Sequence, residues 1–238
     1  MNALSECILV FVKFLENESL IDEQDLSTIE FSKRLRELTS WRVIAASMIS
    51  KGELAEYASR EIYSRGIDHA HVVLIKESNV HQDLYLSALI AKEVIERYGC
   101  KINVFGERSS DTSFGGLAGY VAGMMNMAYL RFVEKVVSVD DDGVRAVVDL
   151  DGEVEVKARL PVVLIPVEEL YPPSPVSVGE KLEARKKKPI ITEAELREAP
   201  KLLLVGMRKP TYRKRLGVKL ASVEELADVI KRIAGGQI

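Results

Sequence analysis

The segment GERSSDTSFGGLAG (106–119) holds the densest group of side chains in this sequence that could do chemistry. A glycine-rich turn running into a helix leaves backbone N–H groups unpaired at the positive end of the helix dipole, which suits a phosphate. Asp111 could accept from a ribose hydroxyl or an adenine amine, and Ser109, Ser110, Thr112 and Ser113 could donate to phosphate oxygens. Gly115 and Gly116 serve equally as small residues that let a helix pack closely on a sheet. The segment therefore reads either as a nucleotide turn or as a packing turn, and it contains neither GxGxxG nor GxxxxGK[ST].

Other reactive side chains are scattered. His69 and His71 lie two apart on one strand, with no third metal ligand close in sequence, and His81 reads as a helix-start residue. Asp140, Asp141 and Asp142 form a DDDG turn that needs no ion. No Ser-His-Asp or Cys-His arrangement can be assembled, so neither a catalytic residue nor a metal site is expected. Arg185, Lys186, Lys187 and Lys188, with Arg208, Lys209, Arg213, Lys214 and Arg215, make the C-terminal third locally basic. That run reads as a solvated face or as a dock for an acidic partner.

The elements that must position these residues follow from hydrophobic period. CILVFVKF (7–14), WRVIAASM (41–48), HAHVVLIK (69–76) and KINVFG (101–106) are nearly continuous apolar runs, as expected of parallel strands buried on both faces. Between them lie helical patterns at 25–38, with Leu26, Ile29, Leu35 and Leu38 on one side, at 52–66 closed by Gly66, and at 82–99 closed by Gly99. A further helix follows the glycine turn. This strand–helix repetition predicts an α/β fold: a doubly wound, mainly parallel, Rossmann-like sheet. After residue 128 the pattern alternates polar and apolar around two Asp-Gly turns, at 142–143 and 151–152, predicting an antiparallel hairpin extension. LPVVLIPV (160–167) returns to a buried strand. Residues 171–189 contain four prolines and read as an extended C-terminal arm. Capping patterns at Thr192–Glu195 and Ser222–Glu225 each predict a short helix. The expected organisation is thus 1–170 as the nucleotide-binding-type domain, 171–190 as a partner-docking arm and 191–238 as a helical tail packing on a partner or on the domain.

Composition sets the class. Thirty-three Lys and Arg against thirty-six Asp and Glu give −3, too balanced for a chain-wide nucleic-acid binder. The basic third carries only Tyr171 and Tyr212 for stacking bases. Cys7 and Cys100 are far apart and in no CxxC pair, which argues against a disulfide scaffold or a cysteine-built metal site. No apolar run approaches the roughly 20 residues of a membrane span, and MNALSECILVFVKF has no basic region ahead of its apolar stretch, unlike a signal peptide. A cytoplasmic protein without membrane insertion is the expectation.

Taken in order, these pieces resemble the β subunit of electron transfer flavoproteins. The resemblance rests on the ILVFVK strand, the acidic segment opening a helix, the VIAAS strand, the G-x-x-x-x-D loop, the LPVVLIPV strand and the Pro-rich segment ending in ARKKKPI. It covers nearly the whole chain, most closely 101–190. It implies an electron-carrier subunit, not an enzyme, that pairs with an FAD-bearing α subunit. The pair would serve dehydrogenases and a quinone reductase or other acceptor. It also implies an AMP site at the strand tips of this chain. Carried over by position, that site would comprise Phe11, Asp22, Gln24, Asp25, Ser47, Met48, Gly106, Asp111, Ser113, Gly115, Gly116 and Leu117. The hydrophobic anchor for redox partners would be Val178, on the arm leading to Arg185–Lys188. Phe11 is bulkier than the small residue usual in the family, so its ring would either stack on an adenine or fill the adenine's place. The alternative function is a stand-alone adenine-nucleotide sensor or enzyme on the same fold.

Overall fold

The computed structural model describes residues 4–76, 83–167, 170–196, 198–202, 205, 206, 208, 217 and 219–235. His81, Lys209, Arg213, Lys214 and Arg215 lie outside the described residues. The chain divides into two compact units, residues 1–204 and 205–238.

In the first unit, β1 (Ser5–Phe11) leads through a two-residue ribbon, β2 (Phe14–Leu15) and β3 (Leu20–Ile21), into α1 (Glu23–Thr39). Then come β4 (Arg42–Ile49), a 3-10 turn at Gly52–Leu54, α2 (Ala55–Ser64), β5 (His69–Leu74), α3 (Leu84–Tyr98) and β6 (Cys100–Val104). They are followed by α4 (Leu117–Met125), β7 (Ala128–Asp140), β8 (Gly143–Asp149), β9 (Glu153–Ala158), β10 (Val162–Pro166), α5 (Val178–Ala184) and β11 (Ile190–Glu193). Nine strands form one sheet in the order β11-β5-β4-β1-β6-β10-β7-β8-β9. The first seven in that order run parallel, and β8 and β9 add the antiparallel extension. The expected doubly wound α/β fold is what the chain adopts.

Alternation along β1 divides the core into two layers. Ile8, Val10 and Val12 pack with Ile29, Phe31 and Leu35 of α1 and with Ala58 and Ile62 of α2. Cys7, Leu9 and Phe11 pack with Leu86, Ile90 and Val94 of α3 and with Val121 of α4. The chain winds outward from β1 through β4 to β5, then crosses back to β6 on the other side of β1. The gap between the carboxyl ends of β1 and β6 is therefore the topological switch point, where loops diverge and leave a crevice.

Four expectations need correction. Cys7 and Cys100 form a disulfide. They stand at the amino ends of neighbouring strands, with Ser5 in register with Cys100, so the crossovers remove a separation of 93 residues. The proline-rich arm is extended only in part: all four prolines fall outside 178–184, and Ser177 and Glu180 cap each other to start α5 there. Thr192 does not open a helix, because Ile190–Glu193 adds a parallel edge strand to β5. The Thr192 hydroxyl instead meets Nε2 of His71 at 2.8 Å, and burial, then the positive charge of Arg97, push that histidine down to about 4. Leu38 lies on the exposed side of α1, while Phe31 supplies the buried aromatic.

In the second unit, Ser222 caps α6 (Val223–Ala234) by accepting from the Glu225 N–H at 3.3 Å, as its pattern predicts.

Candidate functional site

Three segments build the walls of the switch-point crevice: the end of β1, the start of α1, and the loop from Gly106 to Leu117. Phe11, Met48, Leu84 and Phe105 make its apolar floor, while Lys13, Asp25, Ser87, Arg108, Ser109 and Thr112 supply polar groups. Its cavity volume is about 120 Å³, roughly an order of magnitude above what one ordered water requires.

Two aspartates organise the entrance to α1. Asp22, fully buried, is the N-cap and accepts from the Gln24 N–H at 3.2 Å. Its second oxygen accepts from the Ser110 N–H at 2.8 Å and the Ser110 hydroxyl at 2.9 Å. One carboxylate thereby caps the helix and anchors the loop. Asp25, one turn on, accepts from the Lys13 N–H at 2.6 Å through Oδ2. Its Oδ1 lies against Gly106 so closely that a Cβ at that position would overlap it. Gly106 is thus required by the approach of Asp25. Burial foremost, with the like charge of Asp22 added, pushes Asp25 up to about 8, against the opposing effect of the Lys13 N–H and ammonium.

Lys13 was absent from the residues picked out by sequence. Its ammonium reaches Asp111 at 2.7 Å and the Ser109 hydroxyl at 3.4 Å. Burial works to raise Asp111, but the bonds from Lys13, Ser109 and the Thr112 N–H outweigh it and hold the carboxyl below the usual range. The available signal was a cation directly after an apolar parallel strand, which the fold must place at the strand tips. Phe105 was also passed over. It stacks on Phe11 with ring centroids 4.3 Å apart and planes 10° apart.

The remaining expected residues divide. Leu117 lines the crevice, at the first turn of α4. Gly116 is the N-cap of α4 and brings no capping side chain, so the first-turn N–H groups stay available to an anion. Gly115 and Gly116 also serve close packing: a Cβ would press on the Glu107 carbonyl at 3.0 Å in the first case and on Leu84 at 2.9 Å in the second. Ser113 turns the loop with φ +54° and donates its N–H to the Ser109 carbonyl. Ser47 alternates with Ala46 and Met48 and so faces away from the crevice. Its Oγ is buried with no hydrogen-bond partner among the described residues, as is Oε1 of Gln24. An apolar floor, a neutral-pH acid, a lysine and an uncapped helix start fit a flat ring carrying an anionic tail.

The loop has a third support. Arg131 pairs with Glu107 at 2.5 Å and lies 4.5 Å from the centre of the Phe132 ring. Phe132 itself sits at φ +59°, at a register shift between β10 and β7. A bulky residue rarely adopts that conformation, and bulges commonly re-aim a neighbouring side chain.

The arm lies on its own domain. The Tyr171 hydroxyl donates to the Glu134 carbonyl at 2.5 Å, Ser174 donates to Glu30, and Ala184 is buried. Lys187 donates to the Ile67 carbonyl at 2.9 Å and covers the Tyr63 ring, so it is committed to the end of α2. Lys186 pairs with Glu183 at 2.5 Å. Arg185 and Lys188 stay exposed, and Val178 and Leu182, one turn apart, face outward at 76% and 52% exposure.

The sequence profile of the electron transfer flavoprotein domain matches residues 11–199, which span the crevice and the arm. A protein of Saccharomyces cerevisiae named "Probable electron transfer flavoprotein subunit beta" is 28% identical over 222 residues, covering 90% of this chain and 84% of the yeast protein.

Proposed function

Since the chain belongs to the electron transfer flavoprotein family, we propose that it is a divergent β subunit and pairs with an α subunit that holds FAD. The flavin supplies the redox chemistry by accepting and releasing electrons. This chain shapes the complex and docks the donors, dehydrogenases, and the acceptor, a quinone reductase or its equivalent. The observation that carries the reading is the family match, whose bounds, 11–199, take in both the crevice and α5.

Two surfaces support it. Val178 and Leu182 project from a helix whose start is locked by its capping box and whose far end is buried, giving an apolar knob that loses little freedom on docking. In the second unit, Val223, Leu226, Ile230 and Ile233 form an exposed apolar stripe on α6. A helix of twelve residues is marginal in water without a cover, so the stripe fits burial against a partner. Among the described residues no helix is long and apolar enough to cross a membrane. The crevice would hold AMP, with the ring on the apolar floor and the phosphate toward α4 and Lys13.

Co-expression with a flavin-binding α subunit tests this. The expected product is a yellow heterodimer that takes electrons from a reduced dehydrogenase. If the chain instead purifies alone, ignores the α subunit and binds or turns over an adenine nucleotide by itself, the alternative reading, a stand-alone sensor or enzyme, replaces it.

A further inference from the structure

One buried carboxylate gathers two stretches of chain that lie far apart in the sequence. Asp83, with no exposed surface, is the N-cap of α3, and its Oδ1 accepts from the N–H groups of Tyr85 at 2.9 Å and Leu86 at 3.3 Å. Its Oδ2 accepts from the N–H groups of Lys201 at 2.5 Å and Leu202 at 2.9 Å. A helix cap needs only the first pair. Burial works to raise the carboxyl, but the N–H bonds from Leu202, Lys201, Leu86 and Tyr85 outweigh it and hold it below the usual range. Both oxygens are therefore charged acceptors at neutral pH, which strengthens each bond.

The second pair matters because residues 198–202 have little else to hold them. They form neither helix nor strand, and the side chains of Glu198, Lys201 and Leu202 are exposed, Leu202 by 55%. The other contacts lie at the surface. The Tyr85 hydroxyl donates to Glu198 at 2.5 Å, and the Lys201 ammonium sits 3.7 Å from Glu198 and 5.0 Å from the centre of the Tyr85 ring. Exposed pairs of that kind contribute little. Upstream, the next firm attachments among the described residues are Leu196, packed against the α3 layer, and the Ala194 N–H, donated to the Leu74 carbonyl.

Leu202 stands at the end of the first unit, which closes at residue 204. Asp83 directly precedes Leu84, which lines the crevice. The bonds to Lys201 and Leu202 thus fix the chain's exit from the α/β domain on the carboxyl-end side of the sheet. Without them that exit moves back to Leu196.

We propose that Asp83 is a latch, a positioning residue that fastens 198–202 to the start of α3 and so sets where the C-terminal unit leaves the domain to dock on the partner. The docking half rests on the reading of the chain as one subunit of a pair. A fastened strap meets the partner already ordered, whereas a loose one must be ordered on binding and lengthens the tether.

Asp83→Ser separates the latch from the helix cap. Serine caps a helix about as well as aspartate, but its single uncharged oxygen cannot hold the strap as well. Lys201→Pro deletes one strap N–H and leaves α3 untouched, so it reports even where Asp83→Ser fails to fold. The test measures amide hydrogen exchange in the full-length parent and both variants, and their affinity for a flavin-binding α subunit. Exchange at the Leu202 N–H should be about tenfold faster or more in both variants, while the Leu86 N–H exchanges as in the parent. Affinity for the α subunit should fall severalfold in both. Leu202 protected as in the parent in both variants would show that the surface contacts hold the strap, and would end the proposal. Faster exchange at Leu86 in Asp83→Ser, with Lys201→Pro like the parent, would reduce Asp83 to a helix cap. A strap freed in both variants with unchanged affinity would remove the positioning role. If the parent binds no α subunit, the docking half falls together with the pairing reading, and the exchange rates still judge the latch within the chain.

Discussion

Lys13 and Asp111, 98 residues apart in sequence, meet at 2.7 Å across the mouth of the crevice, one from the tip of β1 and one from the loop before α4. The pair closes the ring of contacts in which Asp22 holds Ser110 and Asp25 holds the Lys13 backbone. It also neutralises the Lys13 ammonium, so the charge that this side chain offers to an anion depends on Asp111.

Asp111→Asn should therefore strengthen the binding of AMP or inorganic phosphate at low salt, and the gain should shrink as salt screens the freed ammonium. Lys13→Ala should weaken binding under the same conditions. Because the pair is partly exposed, neither change should cost more than about 1 kcal/mol of folding stability. Titrations at two ionic strengths check this, and equal affinities in all three proteins would place Lys13 beyond the ligand's reach.

Asp25 makes stability depend on pH in a direction opposite to that of a salt-bridged carboxylate. Its folded value, about 8, lies above its ordinary 3.8. Between those values the unfolded chain has released the proton while the folded chain retains it. Stability should thus fall as pH rises from about 4 to 8, at up to about 1.4 kcal/mol per unit, and level off beyond. Urea melts of the parent and Asp25→Asn across that range should diverge; parallel curves would mean that Asp25 is ionised in the folded protein.

Phe11 is covered on one face by Phe105 and borders the crevice. Truncation to alanine should cost about 3 kcal/mol of stability, as for other buried phenyl rings. It should also remove part of the apolar floor on which the adenine ring would rest. AMP should then bind more weakly to Phe11→Ala than to the parent, by roughly 1 kcal/mol. Tighter binding would show instead that the Phe11 ring fills the adenine's place.

The outward face of α5 offers a cleaner separation of docking from folding. Val178→Asp changes a side chain that is 76% exposed, so the melting temperature should stay within a degree or two of the parent. Electron transfer to the acceptor, or formation of the heterodimer, should drop severalfold. If both rates are unchanged, the partner docks elsewhere.

Much of the fold was legible because its signals are local. The unbroken apolar runs of β1, β4 and β5, the left-handed cap at Gly99 and the Asp-Gly turns each state their element in a few residues. What stayed hidden was set by distant neighbours. The Thr192–Glu195 spacing is a sound capping pattern, yet an open edge on β5 takes Thr192 and Glu193 into a strand. The prolines of the arm masked α5, since their number suggested an extended segment while their positions leave 178–184 free. In the site, Asp22, Asp25 and Gly106 were reached through the family resemblance, which carries them over by position. Lys13 left a local signal, a cation directly after an apolar strand, whereas Phe105 emerges only when β1 and β6 are known to be adjacent, and Ser47 points away because strand alternation at Met48 decides its face.

Joining β1 to β6 also changes how the protein breaks. The Cys7–Cys100 bond encloses every residue from α1 through α3 in one covalent ring. A protease that cuts once inside that ring, for example at an exposed loop between β4 and α2, leaves a single molecule that runs as one band until a reducing agent is added. A cut beyond residue 100 frees a fragment at once. Because the ring carries the first wall of the crevice and the chain beyond it the second, only cuts of the latter kind can physically part the two halves of the site.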